Sequence, residues 1–95
     1  MPGNIPIVLL LPAYNEQEAL PPLLEAIAAA RASLPNLTVI VIDDGSQDNT
    51  AQVVRDFNQD SVKLIQHPHN MGLAQAMRTG IAAALEASPP DGLIA

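Results

Sequence analysis

The stretch that decides the fold is VIVIDDGSQDNT, residues 39–50. Four β-branched apolar residues lead directly into two adjacent carboxylates, Asp43 and Asp44, and then into a glycine and further polar side chains. A parallel strand that is buried on both faces and ends at a ligand site has this pattern. In open α/β sheets, ligands bind outside the carboxyl ends of the strands. Paired carboxylates there can accept hydrogen bonds from a base or a sugar, or hold a cation.

The same stretch also fits a strand that is followed only by a helix N-cap. Asp-Gly is a common turn dipeptide, and Ser, Asp and Asn are favoured at N-caps. Taken alone, residues 43–50 leave both interpretations open. Two other strand ends in the chain show a similar change from apolar to polar residues, which favours the ligand site.

Composition narrows the class of protein. The 95 residues form one small domain or part of a larger one, and the 48% of hydrophobic residues indicates a globular chain. The formal net charge is −6, and the four basic residues are scattered, so a nucleic-acid partner is not expected. A single nucleotide, held by backbone N–H groups or through a cation, stays compatible with this charge.

The absence of cysteine excludes disulfides and thiolate metal sites, which fits the cytoplasm. Residues 1–4 lack the basic segment of a signal peptide, and the longest apolar stretch is far shorter than the roughly 20 residues of a membrane helix.

Hydrophobic periodicity predicts strands alternating with helices. The predicted strands are Ile5–Leu11, Leu37–Ile42, Val62–Gln66 and the opening of a fourth, Leu93–Ala95. The first predicted helix carries Leu20 to Leu34 and ends at Pro35-Asn36, and the second is capped by Asp48 or Asn49. The third carries Leu73 to Leu85, and residues 88–92 form a turn after it. This β-α-β-α-β-α-β order predicts a single Rossmann-like α/β domain, an open parallel sheet in three layers.

The carboxyl ends of parallel strands meet at one edge of the sheet, so polar residues from three loops are expected in one crevice. They are Tyr14, Asn15, Glu16, Asp43, Asp44, Ser46, Asp48, Asn70 and Gly72. Gly72 either frees the chain to enter a helix or lets N–H groups around it face a phosphate. Tyr14 either stacks on a base or covers the sheet edge, and Gly80 indicates close packing of a helix on the sheet.

Other familiar sites are not supported. The chain has neither the G-x-G-x-x-G dinucleotide fingerprint nor a P-loop. The loop after Ile42 lacks the register of a calcium loop, and Ser46 lacks the G-x-S-x-G setting of a hydrolase nucleophile. His67 and His69 have no Cys or carboxylate nearby in sequence, so solvated loop residues are favoured over a metal site.

Together the three loops resemble the opening motifs of family 2 glycosyltransferases. They read PAYNE at residues 12–16, VIDDGSQDNT at residues 41–50 and NMGLAQA at residues 70–76, followed by Gly80. Within that family the chain most resembles the polyprenyl-phosphate sugar transferases of the dolichol-phosphate mannose synthase type. Three motifs in the same order, over almost the whole chain, make the resemblance specific.

The resemblance implies the nucleotide-binding N-terminal part of a GT-A fold. Such an enzyme transfers a sugar from a UDP- or GDP-linked donor to a lipid-phosphate or saccharide acceptor, in cell wall or polysaccharide biosynthesis, in the cytoplasm or at the cytoplasmic face of a membrane. Mg²⁺ or Mn²⁺ binds the diphosphate in the full-length enzyme. Carried over by motif, the nucleotide-binding residues are Pro12, Ala13, Tyr14 and Glu16 near the nucleoside, Asp43, Asp44 and Ser46 near the base and ribose, and Asn70, Gly72 and Ala76 near the ribose and phosphates.

The chain departs from the family after the third helix. The D-x-D metal motif follows the fourth strand in the family, so it is expected beyond Ala95, and Asp91 does not replace it. Residues 1–95 therefore resemble a truncated donor-binding domain, and we expect the isolated chain to bind no metal and transfer no sugar. We also expect an uncovered edge along Ile5–Leu11, and hence self-association.

Two further classes of function stay open at the level of sequence. One is a non-catalytic nucleotide-binding or assembly module. The other is a different α/β enzyme of the nucleotidyltransferase type, which would prefer a nucleoside triphosphate over a diphosphate.

Overall fold

A computed structural model describes residues 5–87 and 92–95 of the chain. Strands and helices alternate as the sequence predicts, as β1 (Ile7–Ala13), α1 (Leu20–Ala30), β2 (Leu37–Asp43), α2 (Thr50–Phe57), β3 (Val62–Gln66), α3 (Leu73–Ala87) and β4 (Leu93–Ile94). The turn predicted over residues 88–92 lies outside the described residues, apart from Gly92.

The four strands form one parallel sheet in the order β3-β2-β1-β4. The β-branched segment becomes the central strand β2, which pairs with β1 from Leu37 opposite Ile7 to Asp43 opposite Ala13. Because consecutive residues of a strand point to opposite faces, β2 contributes to two separate cores. Ile40 and Ile42 belong to one apolar cluster, and Val39 and Val41 belong to the other.

Helices cover both faces of the sheet. The cluster around Ile42 includes Ala76 and Ala84 of α3, whereas the cluster around Val41 includes Leu24 of α1 and Val54 of α2. This arrangement confirms the predicted three-layer α/β architecture.

Glycine in α3 allows close approach to the sheet, as predicted. A Cβ added at Gly80 would lie 2.8 Å from Cδ1 of Ile42 and 3.3 Å from both Cδ atoms of Leu10. The loss of helix propensity at glycine, about 1 kcal/mol, is therefore offset by close contact between the helix backbone and the core.

Strand β1 begins and ends two residues later than predicted. The prediction ended the strand at Leu11, because residues 12–16 break the apolar run. Proline has no N–H to donate to a ladder, so Pro12 fits a strand only where that position faces away from the paired strand. In the sheet, Leu10 donates its N–H to the carbonyl of Ala95 on the β4 side, so the N–H positions of even-numbered residues in β1 face away from β2. Pro12 shares that orientation, and β1 keeps its pairing with β2 through Ala13.

Helix α1 ends at Ala30, earlier than predicted. Its last turn tightens, with Ala32 and Ser33 donating to carbonyls three residues earlier. The Arg31 guanidinium then donates to the carbonyls of Pro35 and Leu37, both at 2.9 Å, which fastens the turn to the start of β2. Leu34 therefore lies in a turn and not on the helix.

The edge of β1 is partly covered, which corrects the expected open edge. Strand β4 pairs with Ile7 and Val8, and the N–H of Leu10 donates to the carbonyl of Ala95. No helix within residues 5–87 and 92–95 has the length and apolar character needed to cross a membrane.

Candidate functional site

Three loops meet at the carboxyl edge of the sheet. We call them the β1–α1 loop (residues 14–19), the β2–α2 loop (residues 44–49) and the β3–α3 loop (residues 67–72). The central loop follows the central strand and contacts both of the others. We call its contacts with the β1–α1 loop the outer junction, which also includes the hydrogen bonds of Thr50. We call its contacts with the β3–α3 loop the inner junction, which also includes the hydrogen bond of Thr79.

The outer junction consists of reciprocal hydrogen bonds between backbone and side chains. Asn15 donates its N–H to Oγ of Ser46 at 2.9 Å, and its Oδ1 accepts the N–H of Gln47 at 2.9 Å. Asn15 adopts a left-handed conformation with φ of 54°, which asparagine tolerates better than most residues. The Ser46 hydroxyl, predicted to bind nucleotide, therefore accepts from a neighbouring loop in this structure.

The pattern repeats two residues further on. Gln17 donates its N–H to Oδ2 of Asp48 at 3.3 Å, and its Oε1 accepts the N–H of Asn49 at 2.9 Å. Between these pairs, the N–H of Glu16 donates to Oγ1 of Thr50 at 2.9 Å. Each residue from 15 to 17 is thereby bonded to the β2–α2 loop or to the first residue of α2.

Of the two residues predicted to cap α2, Asn49 occupies the N-cap position but makes no capping hydrogen bond with its side chain, whereas Asp48 bonds the first residue of the helix. Oδ1 of Asp48 accepts the N–H of Thr50 at 2.9 Å and also the Thr50 hydroxyl. Burial alone would raise the pKa of Asp48, but the hydrogen bonds from Thr50 and Gln17 outweigh it and hold the pKa below its ordinary value. At the other end, Asn58 adopts a left-handed conformation and ends the helix.

The inner junction is centred on one buried carboxylate, that of Asp44. Its Oδ1 accepts the N–H of Met71 at 2.9 Å, and its Oδ2 accepts the N–H of Gly72 at 3.0 Å. The sequence left open whether N–H groups here face a phosphate, but those of Met71 and Gly72 face a side chain of the protein. Gly72 has φ of +92°, which supports the alternative that it lets the chain turn into α3.

His67 completes the inner junction. Its Nδ1 lies 2.8 Å from Oδ1 of Asp44, and its Nε2 lies 2.8 Å from Oγ1 of Thr79 on α3. Only 8% of the His67 side chain is exposed, so the expectation of a solvated loop histidine is wrong. An ionised carboxylate can only accept, so Nδ1 carries a proton and Nε2 is satisfied by the threonine hydroxyl.

The charge state of Asp44 follows from these contacts. The hydrogen bond from His67, followed by the one from the N–H of Met71, holds the pKa of Asp44 below its ordinary value, although burial acts in the opposite direction. The carboxylate is therefore ionised at neutral pH, with three donors around it.

Gly45 allows the two loops to touch through their backbones. It has φ of +72°, and a Cβ there would lie 2.2 Å from the carbonyl carbon of His69 and 2.3 Å from the nitrogen of Asn70. No side chain fits in this space. The glycine of the DDGS segment is thus required by the neighbouring loop as well as by its own turn.

Asp43, the last residue of β2, lies beneath both junctions. It is 3% exposed; its Oδ1 accepts the N–H of Ser46 at 3.0 Å and its backbone carbonyl accepts the N–H of His67 at 2.9 Å. In this structure the carboxylate shapes the start of the β2–α2 loop.

A cleft of about 220 Å³ opens between the β1–α1 loop and the β3–α3 loop. Most of the predicted nucleotide-binding residues line it. They are Pro12, Ala13, Tyr14, Asp44, Asn70, Gly72 and Ala76. The other predicted residues, Glu16, Asp43 and Ser46, lie outside its lining, at the outer junction or beneath it.

Two residues of this region escaped the sequence analysis. Leu73 also lines the cleft and is 67% exposed, and its place in the helical apolar pattern hid this. His67 was set aside because it has no carboxylate nearby in sequence. Its position directly after β3, beside the strand that ends at Asp43 and leads into Asp44, is the signal that points to a partner in space.

Metal-ligating side chains do not converge in the part of the chain that the structure describes. No group of three or more His, Asp or Glu residues there could hold a metal ion. The side chains of Asp43, Asp44, Asp48 and His67 instead form hydrogen bonds within the protein.

The fold and the position of the cleft define an α/β domain of the GT-A type. Residues 8–87 match the family model described as Glycosyl transferase family 2, and the chain belongs to that family. This confirms the resemblance drawn from the three loop motifs.

The relatives include transferases that act on polyprenyl phosphates. The chain is 37% identical over 87 residues to the dolichyl-phosphate beta-glucosyltransferase ALG5C of Trichomonas vaginalis, covering 83% of this chain and 26% of the relative. It is 32% identical over 82 residues to the dodecaprenyl-phosphate galacturonate synthase of Rhizobium johnstonii, covering 82% and 24%. The chain thus spans about a quarter of the length of these relatives.

A solved structure has the same fold. It is the mannosyltransferase PcManGT from Pyrobaculum calidifontis in complex with GDP-Man and Mn²⁺, with a TM-score of 0.76 and 26% sequence identity. The match covers 85% of this chain and 25% of that structure.

Proposed function

We propose that this chain is the donor-nucleotide-binding part of a sugar transferase. The donor would be a UDP- or GDP-linked sugar, and the acceptor a polyprenyl phosphate or a saccharide. The observation that carries the proposal is the cleft at the carboxyl edge of the sheet, which is lined by residues of the three family motifs. The named activities of the relatives support the class of reaction.

The size and lining of the cleft suit a nucleoside better than a whole donor. Its volume of about 220 Å³ is below the roughly 300–1,000 Å³ of complete ligand sites. Tyr14, at 43% exposed, and Leu73 offer apolar surfaces for a base or ribose, and Asn70 offers an amide. The sugar and diphosphate would extend beyond the cleft.

In the full-length enzyme, a divalent cation would accompany the diphosphate and offset the repulsion between its charge and a chain with a net charge of −6. The structural neighbour holds Mn²⁺ together with its nucleotide sugar. The described residues of this chain bring no suitable group of ligands together, so we assign none of them to a metal. For the same reason we propose that the isolated chain transfers no sugar, and a product formed from a nucleotide sugar and a polyprenyl phosphate would contradict this.

Calorimetric titration of the chain with UDP, GDP, UTP and GTP tests the proposal. We expect one diphosphate to bind, with no preference for its triphosphate. Tyr14→Ala should weaken binding about fivefold or more, because stacking on an aromatic ring contributes about 1–3 kcal/mol per base. Leu85→Ala is the matched control, since Leu85 is 66% exposed on α3 and does not line the cleft.

The other functional classes make different predictions in the same titration. Preference for a triphosphate would favour a nucleotidyltransferase, and binding of neither would favour an assembly module. Either result would contradict a donor-binding domain.

Self-association through a sheet edge also belongs to the proposal. Strands β3 and β4 form the edges, and Leu93 and Ile94 of β4 are 53% and 38% exposed. Edges of this kind recruit further strands. Sedimentation at high concentration should show oligomers, and a strictly monomeric profile would contradict this part of the proposal.

A further inference from the structure

We propose that His67 is a positioning residue for nucleotide binding, which acts through Asp44 to fix the β3–α3 loop as one wall of the cleft. The proposal rests on the proposed function of that cleft. It assigns His67 no contact with the nucleotide, since His67 does not line the cleft.

The first step of the argument is a closed ring of hydrogen bonds. His67, at the end of β3, contacts Asp44, at the end of β2. Asp44 accepts the N–H groups of Met71 and Gly72, which lead into α3. The ring closes where Thr79, on α3, meets the other nitrogen of His67 at 2.8 Å. Two strand ends and one helix are therefore held in fixed relation by three side chains, those of Asp44, His67 and Thr79.

The second step is that this ring sets the shape of the cleft. Asn70 and Gly72, which line the cleft, lie in the loop that Asp44 holds. The backbone around His69 and Asn70 also rests against Gly45 without room for a side chain. A shift of the Asp44 carboxylate would therefore move the wall, because the loop is held to the sheet at these points.

The third step concerns the freedom of Asp44 as a ligand. An ionised carboxylate has about four acceptor positions, and His67, Met71 and Gly72 occupy three of them. Three of the acceptor positions of Asp44 are thus used to orient the loop, and the carboxylate also lines the cleft, so His67 fixes how it is presented there. Removal of His67 would leave the ionised carboxylate of Asp44 without one of its partners, which is costly for a buried group.

Three variants separate the two hydrogen bonds of His67. His67→Phe removes both, whereas His67→Asn keeps an amide donor on the Asp44 side and loses the contact with Thr79. Thr79→Val removes the far partner and leaves the histidine in place. His69→Asn is the matched control, because His69 is an exposed histidine of the same loop that does not line the cleft.

Dissociation constants for UDP and GDP, measured by calorimetry at pH 7, test the positioning role. We expect His67→Phe to weaken the preferred nucleotide about tenfold or more, and His67→Asn and His69→Asn to stay within about threefold of the original chain. Thr79→Val should fall between them. Far-ultraviolet circular dichroism confirms that each variant is folded at the temperature of the titration.

Hydrogen exchange at the Met71 and Gly72 amides gives a readout that needs no nucleotide. Both amides should exchange faster in His67→Phe and keep their protection in His67→Asn, while amides in β2 are unchanged. A chemical rescue tests the role of the carboxylate itself. It uses Asp44→Gly with added formate, a small carboxylate that fits the emptied position. Formate should restore protection at both amides, and it should have no effect on the original chain.

The outcomes distinguish this inference from the proposed function. Failure of the original chain to bind UDP or GDP would remove the proposed function and the positioning role together, whatever the exchange shows. Binding that is equal in His67→Phe and in the original chain would overturn the positioning role alone. Unchanged exchange at Met71 and Gly72 in His67→Phe, or no rescue by formate, would overturn the link through Asp44.

Discussion

The two junctions of the β2–α2 loop join neighbouring loops in different ways. The outer junction spreads its hydrogen bonds over Asn15, Glu16 and Gln17, and the bonds of Asn15 and the one from Asn49 to Gln17 lie at the surface. The inner junction concentrates its bonds on the single buried carboxylate of Asp44 and adds a backbone contact at Gly45. The side that borders the cleft is thus the one that tolerates least change.

This difference follows from the cost of leaving a polar group without a partner. An exposed N–H that loses its partner can bind water, so each bond of the outer junction contributes modestly. A buried carboxylate has no such substitute. The β3–α3 loop, which forms one wall of the cleft, is therefore held more rigidly by the buried carboxylate of Asp44 than it would be by exposed hydrogen bonds.

The largest effect that would break the inner junction is expected from Gly45→Ala. The added Cβ would overlap backbone atoms of His69 and Asn70, and the left-handed φ of +72° adds strain. We expect a loss of at least about 3 kcal/mol in the free energy of unfolding, measured with urea.

Gly72→Ala is the matched control for that variant. Gly72 also has a left-handed φ, +92°, but a Cβ there would meet nothing within 4 Å. Only backbone strain remains, and a loss of about 1–2 kcal/mol is expected. Equal losses in the two variants would show that Gly45 is needed for its own turn and not for contact between the loops.

Acid should weaken the inner junction. The folded pKa of Asp44 lies below its ordinary value of 3.8, so its ionised form stabilises the fold above that value, and this stabilisation is lost as the pH falls through the folded pKa. Asp44→Asn should therefore lower stability at pH 7 and flatten the decline of stability below pH about 4.

Urea unfolding between pH 7 and pH 3 measures this dependence. Asp60→Asn serves as the control, because Asp60 is exposed after α2. The interpretation of Asp44 as the centre of the inner junction would be wrong if both variants declined with pH as the original chain does.

Within the outer junction, the largest loss in the free energy of unfolding is expected from a change at Thr50, whose side chain is buried. Thr50 has no exposed surface, and its hydroxyl accepts the N–H of Glu16 and donates to Asp48. Thr50→Val keeps the shape and leaves the N–H of Glu16 without its acceptor. We expect a loss of about 1–2 kcal/mol by urea unfolding. An unchanged free energy of unfolding in Thr50→Val would show that Thr50 does not stabilise this junction.

The smallest effect is expected for Ser46→Ala, which removes the acceptor of the Asn15 N–H. Water can replace it, so a loss of about 0.5–1 kcal/mol is predicted. The double variant with Asp44→Asn should show additive losses if the two junctions act independently. Strong coupling between them would instead make the β2–α2 loop one cooperative unit.

The central strand and the alternation of elements were predictable because their signals are local. The β-branched run gave β2 to within one residue, and polar residues after each strand indicated the edge where the cleft lies. Gly80 was also interpreted correctly, since a glycine in a helix lowers helix propensity and therefore needs a reason in the packing.

The misplaced features depend on contacts between distant residues. The end of β1 depends on which side of the strand the missing N–H of Pro12 faces, and that is decided by pairing with β2. The role of His67 depends on Asp44 and Thr79, which lie 23 and 12 residues away in sequence. The residues next to His67 in sequence identify neither partner, and only its place directly after β3, beside β2, points toward Asp44.

Calorimetric titration of the chain with UDP and GDP, repeated with Tyr14→Ala, tests the central claim most directly. Binding of one nucleoside diphosphate, weakened about fivefold or more by the substitution, is the predicted result. Absence of binding by the original chain, or binding that is indifferent to Tyr14, would contradict the assignment of the cleft to a nucleotide.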